Sequence, residues 1–431
     1  MTTTQTSPGK SRLVRRLRAA ALDPRPLAVP AFRRLLLAQA AAYVGTVVTE
    51  VAVSVQVYAL SHSSFLVGLT GLAGLLPIVV FGLYGGAVAD RVDRRLLYLG
   101  ASAAAWLLTL ALLAQAVVGL RSVAVVMVLS AGQAGAFALS SSARGAIIPR
   151  VVAVGMIPAA NTLMFTVGTA GQVGGPLLAG VLLTLPGGFC WAYAADALLF
   201  TSLLYSAYRL PSVRPAAGHP VRGGWRPVWE GLRFIGGRPV LWMSFAVDIA
   251  AMVLAMPTAL FPQVAADRFH GGVGPLYSAI AVGSLAAGLL SGWIARVRRQ
   301  GVALAAAVAT WAAAVGLAGT ARSLWAAVAL LACAGAADLV SAVYRETILQ
   351  TYAPDALRGR LQGVFTVVVA GGPRLGDLRA GAMAVTTGLG AAWSGSAFLC
   401  LALVVTATAL VRPFRRYEPA AVPPETVPDA P

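Results

Sequence analysis

Charge is what this 431-residue chain has least of: Asp, Glu, Lys and Arg together make up 11% of it. A soluble domain carries about a quarter charged residues, so a water-soluble fold is excluded. Lysine is reduced to Lys10, in the basic head of the chain. A phosphate-binding loop needs Gly-Lys-Ser/Thr at a helix start, so an ATP-driven pump is excluded as well. The three cysteines, Cys190, Cys333 and Cys400, are far apart inside apolar runs and show no CxxC or Cys/His spacing. They read as small buried hydrophobes, with no disulfide, metal or cofactor site implied. Histidine is also scarce: His62, His219 and His270 all fall between apolar runs, so any proton relay at membrane depth has to use carboxylates. Acids are outnumbered, 15 against 33 basic residues, for a net charge of +18. The arginines recur at the ends of apolar runs and form no patch with interleaved aromatics, which argues against nucleic acid as a partner.

Apolar residues fill the space left: 58% of the chain, with a mean hydropathy of +0.78. A run of about 18 apolar residues crosses a hydrocarbon core about 30 Å thick. Only helices satisfy their own backbone there without alternating polar positions, which excludes a β-barrel. The runs predict twelve helical segments, near 35–60, 65–88, 96–118, 122–143, 157–185 and 189–208, then 240–263, 274–295, 301–321, 324–348, 361–387 and 391–411. They divide the chain into a basic cytoplasmic head (1–34), a six-helix half (35–208), a polar connector (209–239), a second six-helix half (240–411) and a tail (412–431). The head leads into a full-length segment with no cleavage site behind a short apolar core, so no cleavable signal peptide is expected.

Orientation follows from the basic residues. Of the 33, Arg121, Arg268 and Arg322 fall on one side of the alternating segments and Arg374 and Arg379 within a segment; the other 28 lie on the side of the termini and connector. By the positive-inside rule both termini are cytoplasmic and the lipid bilayer is the cell membrane. The two halves also resemble each other. The loop at 85–95, GGAVADRVDRR, returns as SGWIARVRRQG at 291–301, and ARGAIIP at 143–149 answers YRETILQ at 344–350; Gly86 to Gly292 is 206 residues and Arg144 to Arg345 is 201. Parallel repeats of this length build some secondary transporters, with the solute site between the halves near the midplane.

Two motifs carry more than topology. Gly86, Asp90, Arg91, Arg94 and Arg95 join segments 2 and 3. A glycine there permits close helix approach, and a carboxylate at a helix end can cap the next helix or pair with an arginine. In segment 5, GQVGGPLLAG at 171–180 sets Gly171, Gly175, Pro176 and Gly180 along one helix, giving a bend and a smooth face. The first motif resembles the signature loop of the major facilitator superfamily, with Asp93 where that family usually has Gly. In the second copy Arg296 takes the Asp position. The second motif resembles the superfamily's exporter signature, departing from it at Ala179 and Thr162. Together with VAVSVQVYALSHSSFLVGL at 51–69 and RETILQTYAPDALRGRLQGVF at 345–365, the chain over about 30 to 412 is similar to the enterobactin (siderophore) exporter branch. That resemblance implies an all-α, twelve-helix major facilitator fold, proton-coupled antiport by alternating access, and a siderophore or similar amphipathic small molecule as solute. A broad-specificity drug exporter is the alternative within the class. A non-transporting membrane sensor is disfavoured by the two intact motifs.

Charges at membrane depth are expensive, about 2.5–3.5 kcal/mol each when unpaired, so they should face a cavity or one another. The candidates for a proton and solute cavity are Glu50, Asp248, Asp338, Arg374, Asp377 and Gln133. In the superfamily fold segments 1, 4, 7 and 10 line the cavity; three of these carry a carboxylate, while segment 4 offers Gln133 and lacks the arginine many proton-coupled members have. Arg374 and Asp377 lie three apart and could neutralise each other. Asp196 reads as a capped or interfacial carboxylate, and Arg144 and Arg345 as side chains that snorkel to the cytoplasmic interface. The whole is expected to be a monomeric transporter, not an enzyme. Asp90→Asn is expected to leave expression and insertion near normal and to lower vesicle transport about tenfold or more, since it removes a charge-assisted hydrogen bond of about 1.5–3 kcal/mol from one end state. Full transport by the purified mutant would rule out a gating role.

Overall fold

The computed structural model describes residues 23–89, 92–210, 229, 233–352 and 358–418. Asp90 and Arg91, the head before residue 23, most of the connector and the tail after residue 418 lie outside the described residues. Each apolar run is helical: Pro30–Ser61, Ser64–Ala89, Arg94–Val118, Val123–Val151, Ile157–Leu183 and Gly188–Tyr208 form segments 1 to 6. Segments 8 to 11 are Val273–Leu289, Gln300–Thr320, Leu324–Tyr352 and Arg358–Thr387. Segment 12 opens with a π-helical turn, Ala391–Gly395, and continues as Ser396–Leu410. Among the described residues ten helices are long and apolar enough to cross a membrane, counting the seventh segment as a single helix; the eighth is shorter, at 17 residues, and the eleventh carries Arg374, Asp377 and Arg379.

Segment 7 differs from the continuous helix expected over 240–263. It is helical over Pro239–Leu254, breaks, takes a short turn at Thr258–Leu260 and resumes as Phe261–Asp267. Pro257 and Pro262 are the local cause, because a proline in a helix lacks the amide donor and clashes with the turn before it.

The two halves are built differently inside. The C-terminal half holds one continuous apolar core running from Ile235 to Phe414 and centred on Leu241, Phe261, Leu304, Trp311, Leu331 and Trp393. The core of the N-terminal half is split. One cluster gathers Phe32, Leu35, Tyr98, Ile147 and Leu203 toward the end that carries the termini. The other gathers Val48, Val57, Leu112, Val126 and Tyr193 toward the opposite end. Outward-facing side chains such as Leu107, Val118, Leu198 and Leu289 remain largely exposed, as a bundle immersed in lipid requires. The sequence repeat reappears in the backbone: His62 and His270, 208 residues apart, are the non-glycine residues with positive φ among the described residues, at 51° and 53°.

The halves meet through two helix pairs, segment 2 against segment 11 and segment 5 against segment 8. A Cβ on Gly180 would come within 2.9 Å of the Gly274 Cα, so both pairs of backbones approach as closely as small residues permit. Earlier in segment 5, Gly171 and Gly175 pack instead against segment 1 of their own half, where a Cβ on Gly175 would stand 2.7 Å from the Cβ of Val47. Pro176 is buried beside them. The smooth face is thus divided between a fixed neighbour and the opposite half. Gly175→Leu is expected to destabilise the protein by about 1–3 kcal/mol or more through overpacking, while Val181→Leu, at an outward position 62% exposed, stays within about 0.5 kcal/mol. Equal melting temperatures for the two variants in detergent would contradict this packing.

Candidate functional site

Glu50 lies well inside segment 1, yet its side chain is exposed to a solvent-sized probe, because it looks into the gap between the halves and not into its own half. Across the gap, Arg374 of segment 11 is the cation whose field reaches it. The two are not in direct ionic contact: Arg374 donates to the Ala370 carbonyl at 2.7 Å within its own helix. Nor does Arg374 pair directly with Asp377, three residues on, as their spacing alone would allow.

Asp377 and Arg379 serve the break in segment 7. A helix interrupted in hydrocarbon exposes peptide groups that have no water to turn to. The Asp377 carboxylate accepts from the Thr258 hydroxyl and, at 2.9 Å, from the Ala259 amide, at the start of the resumed helix. The Arg379 guanidinium donates to the Val253 carbonyl at 2.7 Å, at the end of the first half-helix, and to the Ala392 carbonyl in the π turn of segment 12 at 3.2 Å. Gly376, immediately before Asp377, has the Met252 carbonyl against it, where a Cβ would not fit. One turn of segment 11 therefore holds both ends of the interruption.

Asp248 is buried in the C-terminal half and forms an ion pair with Arg345 of segment 10, their side chains 2% and 3% exposed. Arg345 thus turns inward instead of reaching for the interface, because a buried carboxylate two segments' packing away offers it a better partner than headgroups do. Asp338 is half-buried in segment 10 with no hydrogen-bond or ionic partner among the described residues.

Inside the N-terminal half the sequence reading missed most of the polar structure. Asp196 is 1% exposed and so is not interfacial. Its Oδ2 accepts from the Thr49 hydroxyl at 2.7 Å and the Thr109 hydroxyl at 3.2 Å, and Gln133 donates its amide to Thr109 Oγ1 at 2.7 Å. Two turns along, Gln56, Gln115 and Tyr193 form a second closed set, with Tyr193 donating to Gln56 Oε1 at 2.6 Å. Segments 1, 3 and 6 are tied by both sets. Arg144 is half-buried, donates to Ser141 and lines a cavity of this half shared with Asp196.

Of the loop motif, Gly86 sits near the end of segment 2 and Asp90 and Arg91 lie outside the described residues. The helix cap is Asp93, whose side chain accepts from the Arg95 amide at 2.9 Å. Arg94 opens segment 3, and Arg95 donates to the Tyr208 carbonyl and lies over the Tyr208 ring at 5.7 Å, joining segment 3 to the end of segment 6. An Asp immediately before a helical run is a readable capping signal.

Hydrogen bonds between the halves gather away from the termini. Tyr58 donates to Asp267 at 3.3 Å, Ser64 to Gln263 at 2.7 Å, and Ser278 to the Val173 carbonyl at 2.9 Å. Among the described residues no side-chain hydrogen bond joins the halves nearer the termini.

Sequence comparison agrees with this architecture. The profile of the transmembrane secretion effector family matches residues 22–428. The chain belongs to that family, a branch of the major facilitator superfamily. Its relatives include the enterobactin exporter EntS of Shigella boydii serotype 4 (strain Sb227) and of Escherichia coli O139:H28 (strain E24377A / ETEC), each 28% identical over 401 residues, which cover 90% of this chain and 93% of the relative. Among solved structures, a D-xylose–proton symporter aligns with TM-score 0.68 at 13% identity, over 90% of this chain and 98% of that one. A bacterial homologue of the human lysosomal transporter Spinster, in an inward-facing, unoccupied conformation, aligns with TM-score 0.65 at 17% identity, over 90% and 96%. This family member is a multi-pass membrane protein and a secondary transporter; its relatives are transporters, not enzymes.

The buried pair gives a direct test of the packing. Arg345→Leu is expected to lower stability by about 3–5 kcal/mol by leaving the Asp248 carboxylate without its cation, and the double change Asp248→Leu with Arg345→Leu to recover most of that loss. Melting in detergent reads it, and a double variant no more stable than the single one would show that the pair is not what holds segments 7 and 10.

Proposed function

We propose that this transporter exports a siderophore or similar amphipathic small molecule across the cell membrane in exchange for protons, as a monomer with twelve crossings and both termini in the cytoplasm. The observation that carries the coupling is Glu50, a carboxylate at membrane depth that faces the gap between the halves with no fixed ionic partner. An ionised group so placed is costly, and binding a proton removes the cost, so its charge is free to change with the side to which the gap opens. The substrate class rests on the likeness to enterobactin exporters along nine-tenths of both chains.

The distribution of contacts between the halves among the described residues supports alternating access. With the termini inside, the hydrogen bonds of Tyr58, Ser64 and Ser278 close the outer face, and the gap at Glu50 and Arg374 opens inward, where a cytoplasmic solute loads. Rocking about the segment 2–11 and 5–8 pairs would break those bonds and expose Glu50 outward. Arg374 on the far wall offers a cation to an anionic solute.

Reconstituted vesicles and Glu50→Gln test this. The wild type is expected to accumulate enterobactin when a pH gradient is imposed. Glu50→Gln is expected to melt normally and exchange enterobactin across the membrane, yet to lose accumulation driven by the gradient. A normal melt with unchanged gradient-driven transport would remove Glu50 from the mechanism. Transport of lipophilic cations with enterobactin rejected would replace the siderophore by a drug as solute and leave the coupling intact.

A further inference from the structure

The N-terminal core is divided at one level, and a single carboxylate sits in the division. Apolar packing ends at Ala42, Ala105, Ala143 and Phe200 on one side and resumes at Val48, Leu112, Val126 and Tyr193 on the other. Between them lie Thr49, Thr109, Gln133 and Asp196, one from each of segments 1, 3, 4 and 6. Gly45 gives the carboxylate its room, since a Cβ there would stand 2.5 Å from Asp196 Oδ1. A polar layer that interrupts a core costs stability wherever its groups are not fully satisfied, and this one is not: Asp196 Oδ1 is buried with no hydrogen-bond partner. Among the described residues no cation contacts it either. Beside it is a cavity of about 40 Å³, lined also by Gln39, Tyr43, Thr46, Gln133 and Arg144, large enough for water.

The ionisable groups around Asp196 are Glu50 and Tyr43 on segment 1, Arg144 on segment 4 and Tyr193 on its own helix; segment 3 faces it with Thr109, and segment 5 has no ionisable side chain. A carboxylate so enclosed, with one oxygen unanswered, is a poor permanent anion and a good place to hold a proton.

We infer that Asp196 is a second proton-binding site of this transporter, loaded through the water-sized cavity of the N-terminal half and tied to segment 1 by Thr49. This rests on the proton-coupled reading and extends it from the gap to the interior of one half. In loading, water delivers a proton to Oδ1, and the carboxylate becomes a neutral acid; in unloading, Oδ1 returns it to water. The Thr109 hydroxyl carries the state outward. It has one hydrogen and two acceptors at 3.2 Å, Asp196 Oδ2 and the Ala105 carbonyl, and it receives Gln133 in either case. An ionised Asp196 draws that hydrogen to itself, and a protonated one releases it to Ala105. Thr49 reports the same change to the helix whose next residue, Glu50, faces the gap.

Isotope-edited infrared spectroscopy of the full-length protein with labelled aspartate reads the site without a substrate. The wild type and Glu50→Gln are expected to show a protonated-carboxyl band that comes and goes with pH, and Asp196→Asn to lack it. The same band in Asp196→Asn, or none in the wild type, overturns the inference. Should Asp196→Asn fail to fold, Thr109→Val decides: the ionised carboxylate loses the Thr109 hydroxyl as a donor, so the pH at which the band appears is expected to move, and an unmoved midpoint overturns the site. In vesicles, Asp196→Asn is expected to export enterobactin with one proton fewer per molecule; an unaltered ratio overturns it. A wild type that ignores a pH gradient while the Asp196 band still titrates would instead overturn the coupling and leave the proton site standing.

Discussion

An interrupted helix in hydrocarbon survives only if protein supplies the hydrogen bonds that water cannot. In this transporter segment 7 is interrupted after Leu254, and Asp377 and Arg379 answer the freed amide and carbonyl groups from one turn of segment 11. Much else depends on that clamp. It fixes the angle at which the outer part of segment 7 leans, which in turn places Gln263 and Asp267 against Ser64 and Tyr58 of the opposite half. It also orients segment 11 so that Arg374, a turn earlier, is left at the gap across from Glu50. Of the three charges in segment 11 that a hydropathy reading marks as anomalies, Asp377 and Arg379 are caps for a neighbour.

The same economy explains Asp248 and Arg345. Each would be intolerable alone in the C-terminal core, and each finds the other across segments 7 and 10. That pair is thereby neutralised in place, while Asp338 of the same half has no partner among the described residues. Glu50 on one wall and Arg374 on the other are the candidate charges that face the gap between the halves.

Helix existence and rough boundaries were legible because twelve long apolar runs have few other solutions: the run expected at 324–348 is the helix Leu324–Tyr352, and that at 157–185 is Ile157–Leu183. The break in segment 7 had a local signal in Pro257 and Pro262, outweighed by the length of the apolar run around them. Partners were not legible. Nothing in the chain near Asp248 names Arg345, 97 positions on, and Thr49 and Thr109 are ordinary small polar residues until packing sets them against Asp196. Sequence periodicity reports which residues are buried far better than which buried residues meet. Glycines stood between the two cases: Gly171, Gly175 and Gly180 announced a close contact, and only the structure divides them between segment 1 and segment 8.

A continuous apolar core and a divided one do not have the same stiffness. Close-packed interiors resist compression and pass a displacement on whole, so the C-terminal half, with its unbroken core and its clamped segment 7, is the stiffer of the two. The N-terminal half has a polar seam across its middle, where hydroxyls rather than interlocked hydrocarbon set the spacing of segments 1, 3, 4 and 6. Any movement of one half against the other would strain the divided half first. In mechanical language, the molecule is a rigid jaw working against one that carries its own spring.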